Sequence, residues 1–199
     1  MSDKYKTIRE AVRTETRINK SRFIATAVPV QNRETVEEIL AKKKKEFLDA
    51  THHCYAYRLG PAGADARFYD DGEPGGSAGK PILRAIDKFG LTDILVIVTR
   101  YFGGTKLGVG GLVRAYGGAA EQAIRAADHV TKYLTETVNA SFPHSQIGNV
   151  MNVVSKQGAK ILDTRYDEEV HLCLEIRNSR MVELKSLLVQ HTSGNITLR

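Results

Sequence analysis

The chain has 199 residues, 42% of them hydrophobic and 26% charged, and a formal net charge of +6; it can bury one large core or two small ones, and its basicity favours polyanionic partners. Cys54 and Cys173 are too few and too far apart for a disulfide framework, which points to a reducing, cytoplasmic compartment. The opening MSDKYKTIRE lacks the apolar stretch of a signal peptide, and no later run approaches the ~18 apolar residues of a membrane span.

Residues 13–30, RTETRINKSRFIATAVPV, alternate around a polar Asn19-Lys20-Ser21 break and read as a hairpin of two strands. Asn32 to Leu48 follows, with Val36, Ile39, Leu40, Phe47 and Leu48 near helical spacing and Lys42 to Lys45 as a solvated face. THHCYAYRL (51–59) predicts a strand with His52, Cys54 and Ala56 on one face and His53, Tyr55 and Tyr57 on the other. RFYD continues it after a turn. Pro81 to Phe89 reads as a short helix with proline in its first turn, where a missing N–H costs nothing. DILVIVTRYF (93–102) is the most apolar strand, suited to the centre of a sheet. A long helix from about Leu112 to Ala127 follows, lined by small residues that allow close approach to a sheet.

Near Tyr133 a second unit begins: strand 135–142, helix 144–157, strand 159–166, strand 168–177, helix 180–191 and strand 195–199. QGAK and TSGN place glycine at or near both helix ends. A βαββαβ order is the ferredoxin-like arrangement. The domains expected are therefore 1–132 and 133–199. No cluster of reactive groups is expected in the second, which reads as a packing or docking module.

Two glycine-rich segments carry the chemistry. The first, DDGEPGGSAGKPIL (70–83), holds Asp70, Asp71, Gly72, Glu73, Gly75, Gly76 and Lys80; the second, GGTKLGVGG (103–111), holds Gly103, Gly104, Lys106, Gly108, Gly110 and Gly111. Neither is a Walker or Rossmann site. A P-loop needs Gly where Pro74 stands and Ser or Thr where Pro81 stands, and the dinucleotide fingerprint lacks its third glycine at Val113. Both segments run into a predicted helix start, where free amides and the helix dipole favour an anion. Lys80 borders the first, and Arg100, Lys106 and Arg114 surround the second. The other reading is that the glycines make tight turns around a close helix–sheet contact.

Asp70, Asp71 and Glu73, with His52 on a neighbouring strand, have the residue types of a hard-metal site and of a metal-dependent hydrolase. Asp-Asp-Gly is equally ordinary turn chemistry, and pairing with Arg58 or Arg100 would satisfy the acids. His52, His53 and Cys54 cannot converge on one zinc ion, because adjacent strand residues point to opposite faces. Ser77 and Cys54 have no recognisable triad signature. No cofactor, metal or catalytic residue is assigned.

In this order and spacing ATHHCYAYRLG, DDGEPGGSAGKPIL and VIVTRYFGGTKLGVGGLVRAYGGAA, within residues 50–120, resemble the signature of the IMPACT family. The whole length is similar to its bacterial, YigZ-type branch. The family typically carries Thr where Ser77 stands. The resemblance implies an α+β chain: an N-terminal domain with the βαβ-rich fold of ribosomal proteins and of the fourth domain of elongation factor G, then a small ferredoxin-like domain. It implies a role in translational control through RNA or the ribosome, with no enzymatic activity attached. A protein partner at the C-terminal domain is the further expectation, and Tyr101, Phe102 and Tyr116 are candidates for stacking on bases.

Overall fold

The computed structural model describes residues 3–199. The chain forms two compact units, Tyr5–Lys132, and Tyr133–Arg199 together with Asp3 and Lys4. Among the described residues no helix is long and apolar enough to cross a membrane.

The first unit is built on a five-stranded antiparallel sheet. Its strands are β2 (Val12–Ile18), β3 (Ser21–Pro29), β4 (His52–Leu59), β5 (Asp65–Tyr69) and β6 (Ile94–Tyr101), in the order β2-β3-β6-β4-β5. β2 and β3 meet in a two-residue turn, with Asn19 and Lys20 both at positive φ (46° and 64°). Such turns match the twist of paired strands, and asparagine tolerates the left-handed region better than most residues. Residues 94–100 of β6 are all buried, as its unbroken apolar run predicts.

Helices cover both faces of this sheet. Asn32 caps α1 (Arg33–Glu46), its side-chain oxygen accepting from the Thr35 amide at 2.8 Å. α1 packs Val36, Ile39 and Leu40 against Tyr57, Leu59, Leu95 and Ile97. On the opposite face, α2 (Gly79–Phe89) and α3 (Gly108–Ala126) pack Ile82, Ile86, Ala115, Tyr116, Ala119 and Ala123 against Phe23, Ala25, Cys54, Ala56, Val96 and Val98. The alternation of each strand assigns its side chains to these two cores. Each large apolar side chain removed from water contributes about 1.5–3 kcal/mol before chain entropy is counted. Two strands absent from the sequence-based expectation, β1 (Lys4–Ile8) and β7 (His129–Tyr133), pair as a separate ribbon.

The pairings make β3–α1–β4 and β5–α2–β6 two split βαβ crossovers, each stepping over one antiparallel strand. They run in opposite directions between strands of opposite sense, so two right-handed crossovers would put both helices on one face. α1 and α2 lie on opposite faces. One crossover is therefore of the uncommon left-handed kind.

The second unit has β8 (Thr135–Phe142), α4 (Ile147–Gln157), β9 (Lys160–Tyr166), β10 (Val170–Arg177), α5 (Asn178–His191) and β11 (Thr197–Leu198), in the sheet order β11-β8-β10-β9. This is the ferredoxin-like βαββαβ arrangement. Val138, Ala140, Phe142, Leu172, Leu174 and Ile176 alternate into a core closed by Val150, Val154, Leu184 and Leu188 of the two helices. Gly158 ends α4 in the left-handed conformation (φ 66°), as its place after the helix predicts.

Candidate functional site

The acids of DDGEPGG are engaged one by one within the fold. Asp70 leaves the end of β5, and its carboxylate accepts from the backbone amides of Gly76, Ala78 and Gly79 at 2.8, 3.0 and 2.8 Å. An intramolecular carboxylate thus occupies the N-terminal pole of α2, where an external anion was one expectation. Asp71 accepts from the His53 amide at 2.6 Å, and its carbonyl oxygen lies 2.8 Å from His52 Nδ1. A carbonyl only accepts, so that nitrogen carries the proton. Asp71 and Gly72 hold consecutive positive φ angles of 44° and 85°, which turn the chain back on itself.

Glu73 points inward. Its Oε1 takes hydrogen bonds from Arg100 Nη1 at 2.5 Å and Tyr116 Oη at 2.7 Å, and His52 Nε2 lies 3.8 Å away. The Glu73 and Arg100 side chains are 4% and 5% exposed. The Arg100 guanidinium sits 5.4 Å from the Phe23 and Phe102 ring centres and donates from Nη2 to Ser21 Oγ at 3.3 Å. One buried ion pair therefore ties together the motif loop, the β2–β3 hairpin, β6 and α3. Burial pushes the Tyr116 hydroxyl up and raises the Cys54 thiol to about 12, which keeps that thiol protonated and unreactive. Burial also lowers the His53 imidazole, whose Nδ1 lies 3.2 Å from Thr99 Oγ1.

The second glycine cluster divides into two roles. Gly103 is a packing residue: a Cβ there would lie 2.1 Å from the Lys20 carbonyl carbon, so only glycine lets this loop rest on the hairpin turn. Gly79 is similarly required, with the Tyr69 backbone 2.7 Å from its would-be Cβ. Gly104 and Gly108 hold positive φ (82° and 69°) with open space around them. α3 has no side-chain cap and no acid in its first turn. Gly110 leaves room for Arg114, whose Nη1 lies 3.7 Å from where a Gly110 Cβ would be. Gly111 faces Leu107 across a tight 3.0 Å.

The four cations do not form one exposed set. Lys106 and Arg114 are exposed at the N-terminal end of α3. Lys80 is exposed on the first turn of α2, whose pole Asp70 occupies. Arg100 is buried and neutralised by Glu73, so it is an internal brace and presents no charge to solvent. Among the aromatic residues, Tyr116 is fully buried, Tyr101 donates to Asp49 at 2.8 Å, and Phe102 is 47% exposed. Among the described residues no group of His, Cys, Asp and Glu is arranged to hold a metal ion. Asp70, Asp71 and Glu73 each face a different partner, an arrangement at odds with the metal-dependent hydrolase. Ser21 and Phe23 were not singled out from sequence, and Tyr116, a candidate there for base stacking, is instead a buried partner of Glu73.

The second unit also contains a side-chain contact between strands. Strand register brings Ser141 of β8 directly opposite His171 of β10, with Oγ and Nδ1 2.8 Å apart.

The fold and both motif loops can be set beside known proteins. The family model of the Impact N-terminal domain matches residues 19–124, and that of DUF1949, a domain of unknown function, matches residues 141–195. IMPACT family member YvyE of Bacillus subtilis is 32% identical over 199 residues, covering 100% of this chain and 92% of its own. IMPACT family member YigZ of Escherichia coli is 32% identical over 183 residues, covering 91% and 90%. A crystal structure of a hypothetical protein superposes with a TM-score of 0.74 at 30% identity, covering 100% of this chain and 97% of that one. With both family models matched and relatives similar along nearly the whole chain, this protein belongs to the IMPACT family.

Proposed function

We propose that this protein binds RNA or a ribosomal surface through a contact that is itself non-catalytic, and by that contact influences translation in the cytoplasm. The observation that carries the reading is the N-terminal end of α3. Its amides have no side-chain cap, Arg114 folds back over its first turn, Lys106 precedes it, and no acid interrupts residues 100–120. The exposed Phe102 ring on the preceding loop offers a face on which a base can stack. The translational role implied by the family resemblance and the net charge of +6 agree with this reading, and two free cysteines suit a reducing compartment. The division into an RNA-contacting domain over 1–132 and a docking domain over 133–199 belongs to the same proposal.

Binding of this kind tolerates sequence and weakens with salt, log K falling by about 0.7 per log salt for each single-strand phosphate neutralised. Titrating labelled single-stranded RNA over a salt series should show that slope in the wild type. The Lys106→Gln, Arg114→Gln double variant should flatten it by roughly 1.4 units, two phosphates' worth, with the fold intact. An unchanged slope removes the α3 site from the proposal. No binding by wild type removes the function.

A further inference from the structure

A second constellation lies on the face of the C-terminal sheet turned away from its helices. Along β10, Val170, Leu172, Leu174 and Ile176 enter the core, so His171 and Cys173 must point to the other side. There they line a cavity of about 450 Å³ with Asn139, Ser141, Asp163, Arg165, Glu169 and Arg199. Across the strands Ser141 pairs with His171, and His171 with Arg165.

With a neutral imidazole, the hydrogen bonds at His171 have one consistent polarity. Its Nε2 lies 3.0 Å from Asp167 Oδ1. The Glu169 backbone amide, donating to the same carboxylate at 3.2 Å, is the first cause holding Asp167 below the usual carboxylate range. An ionised carboxylate only accepts, so the ring proton of neutral His171 sits on Nε2. Nδ1 then carries the lone pair, and the Ser141 hydroxyl must donate to it across 2.8 Å. A carboxylate orienting an imidazole that accepts from a serine is the arrangement that activates a nucleophile. Arg165 and Arg199 share the cavity lining with the carboxylates of Asp163 and Glu169, so two side-chain charges of each sign face it.

We propose that Ser141 is a nucleophile, His171 its general base and Asp167 the positioning residue, acting on small carboxylic esters. Ser141 Oγ bonds to the carbonyl carbon while its proton passes to His171 Nδ1. The bond to the alcohol oxygen then breaks, and that oxygen takes the proton back from Nδ1. Water repeats the two steps on the acyl-serine and releases the acid, restoring Ser141.

The test uses the full chain and a fluorophosphonate, whose phosphorus takes the serine oxygen as fluoride leaves. Intact mass and peptide mapping should place one adduct on Ser141, absent in Ser141→Ala and slowed at least about 100-fold in His171→Ala and Asp167→Asn. In Asp167→Asn the side-chain amide can donate to Nε2, so ring-nitrogen NMR shifts should show the proton moved to Nδ1. All three side chains lie on the solvent side of the sheet, and amide spectra should show the variants folded. No adduct on Ser141 in wild type overturns the proposal, as does labelling that proceeds equally fast in His171→Ala or Asp167→Asn. For the substrate class, wild type should hydrolyse nitrophenyl acetate and Ser141→Ala should not, and no hydrolysis by wild type overturns the class.

Discussion

Glu73 and Arg100 make a bond whose value lies in not being broken. Two charges with 4% and 5% side-chain exposure have lost most of their hydration, and their mutual attraction does little more than offset that loss. Removing one partner leaves the other buried and uncompensated. Glu73→Ala should therefore destabilise the protein by about 3–5 kcal/mol in urea unfolding, and Glu73→Leu with Arg100→Met should recover much of it. Cys54 gives a second test, through pH. Burial raises its thiol from 9.0 to about 12, so below pH 9 the folded and unfolded chains both keep the proton. Above that the unfolded chain releases it first, and stability falls by up to about 1.4 kcal/mol per pH unit until the folded thiol ionises as well. Tyr116, also raised by burial, adds to the loss from its ordinary value of 10.0 upward. Melting temperature followed from neutrality to about pH 11 should drop steeply, and Cys54→Ala should remove the earliest part of the drop.

The two helices that follow glycine-rich loops begin alike in sequence and differ in what meets their first amides. At α2 the Asp70 carboxylate collects three backbone N–H groups, so the loop closes on itself and the helix pole is neutralised from within. At α3 no side chain does so. Asp70→Ala should accordingly cost roughly 2 kcal/mol in chemical denaturation, the scale of a lost charge-assisted cap. It should also lower hydrogen-exchange protection first at residues 76–79. Equal protection in the variant and the wild type would mean that the β5–α2 contact at Gly79, and not the carboxylate, holds the turn.

At the scale of the molecule each unit contains its own core. The first closes around Phe23, Val96, Ile86 and Tyr116, the second around Phe142, Leu174, Val154 and Leu184. Residues 1–132 expressed alone should give dispersed amide NMR signals, with losses confined to the β1–β7 ribbon, whose last residue, Tyr133, the cut removes. A collapsed spectrum for that fragment would show that its core depends on the rest of the chain. The split crossovers of opposite hand sit inside this unit, so a folded fragment also carries the left-handed connection.

Much of the architecture was legible in local pattern. Alternation marked the β2–β3 hairpin, β4 and the strands of the second unit, and the unbroken apolar run marked β6, because side-chain period and burial on one or both faces are local properties. The βαββαβ order of the second half followed from element sequence alone. β1 and β7 escaped because five-residue strands such as KYKTI and HVTKY carry too short a pattern, and only their pairing makes them strands. The motif loops could be found but not interpreted. Whether Asp70 faces a metal, a phosphate or its own helix depends on amides six to nine residues away, and whether Arg100 is a surface cation depends on Glu73, 27 residues distant. Ser141 and His171 stand 30 residues apart and meet only through strand register. Local pattern determined which segments are strands and helices, and which of their faces are apolar, since these are set by side-chain volume, polarity and period. Tertiary structure alone decided which charges are buried in pairs and which remain open to a partner, because desolvation and ion pairing depend on neighbours that the chain brings together only when folded.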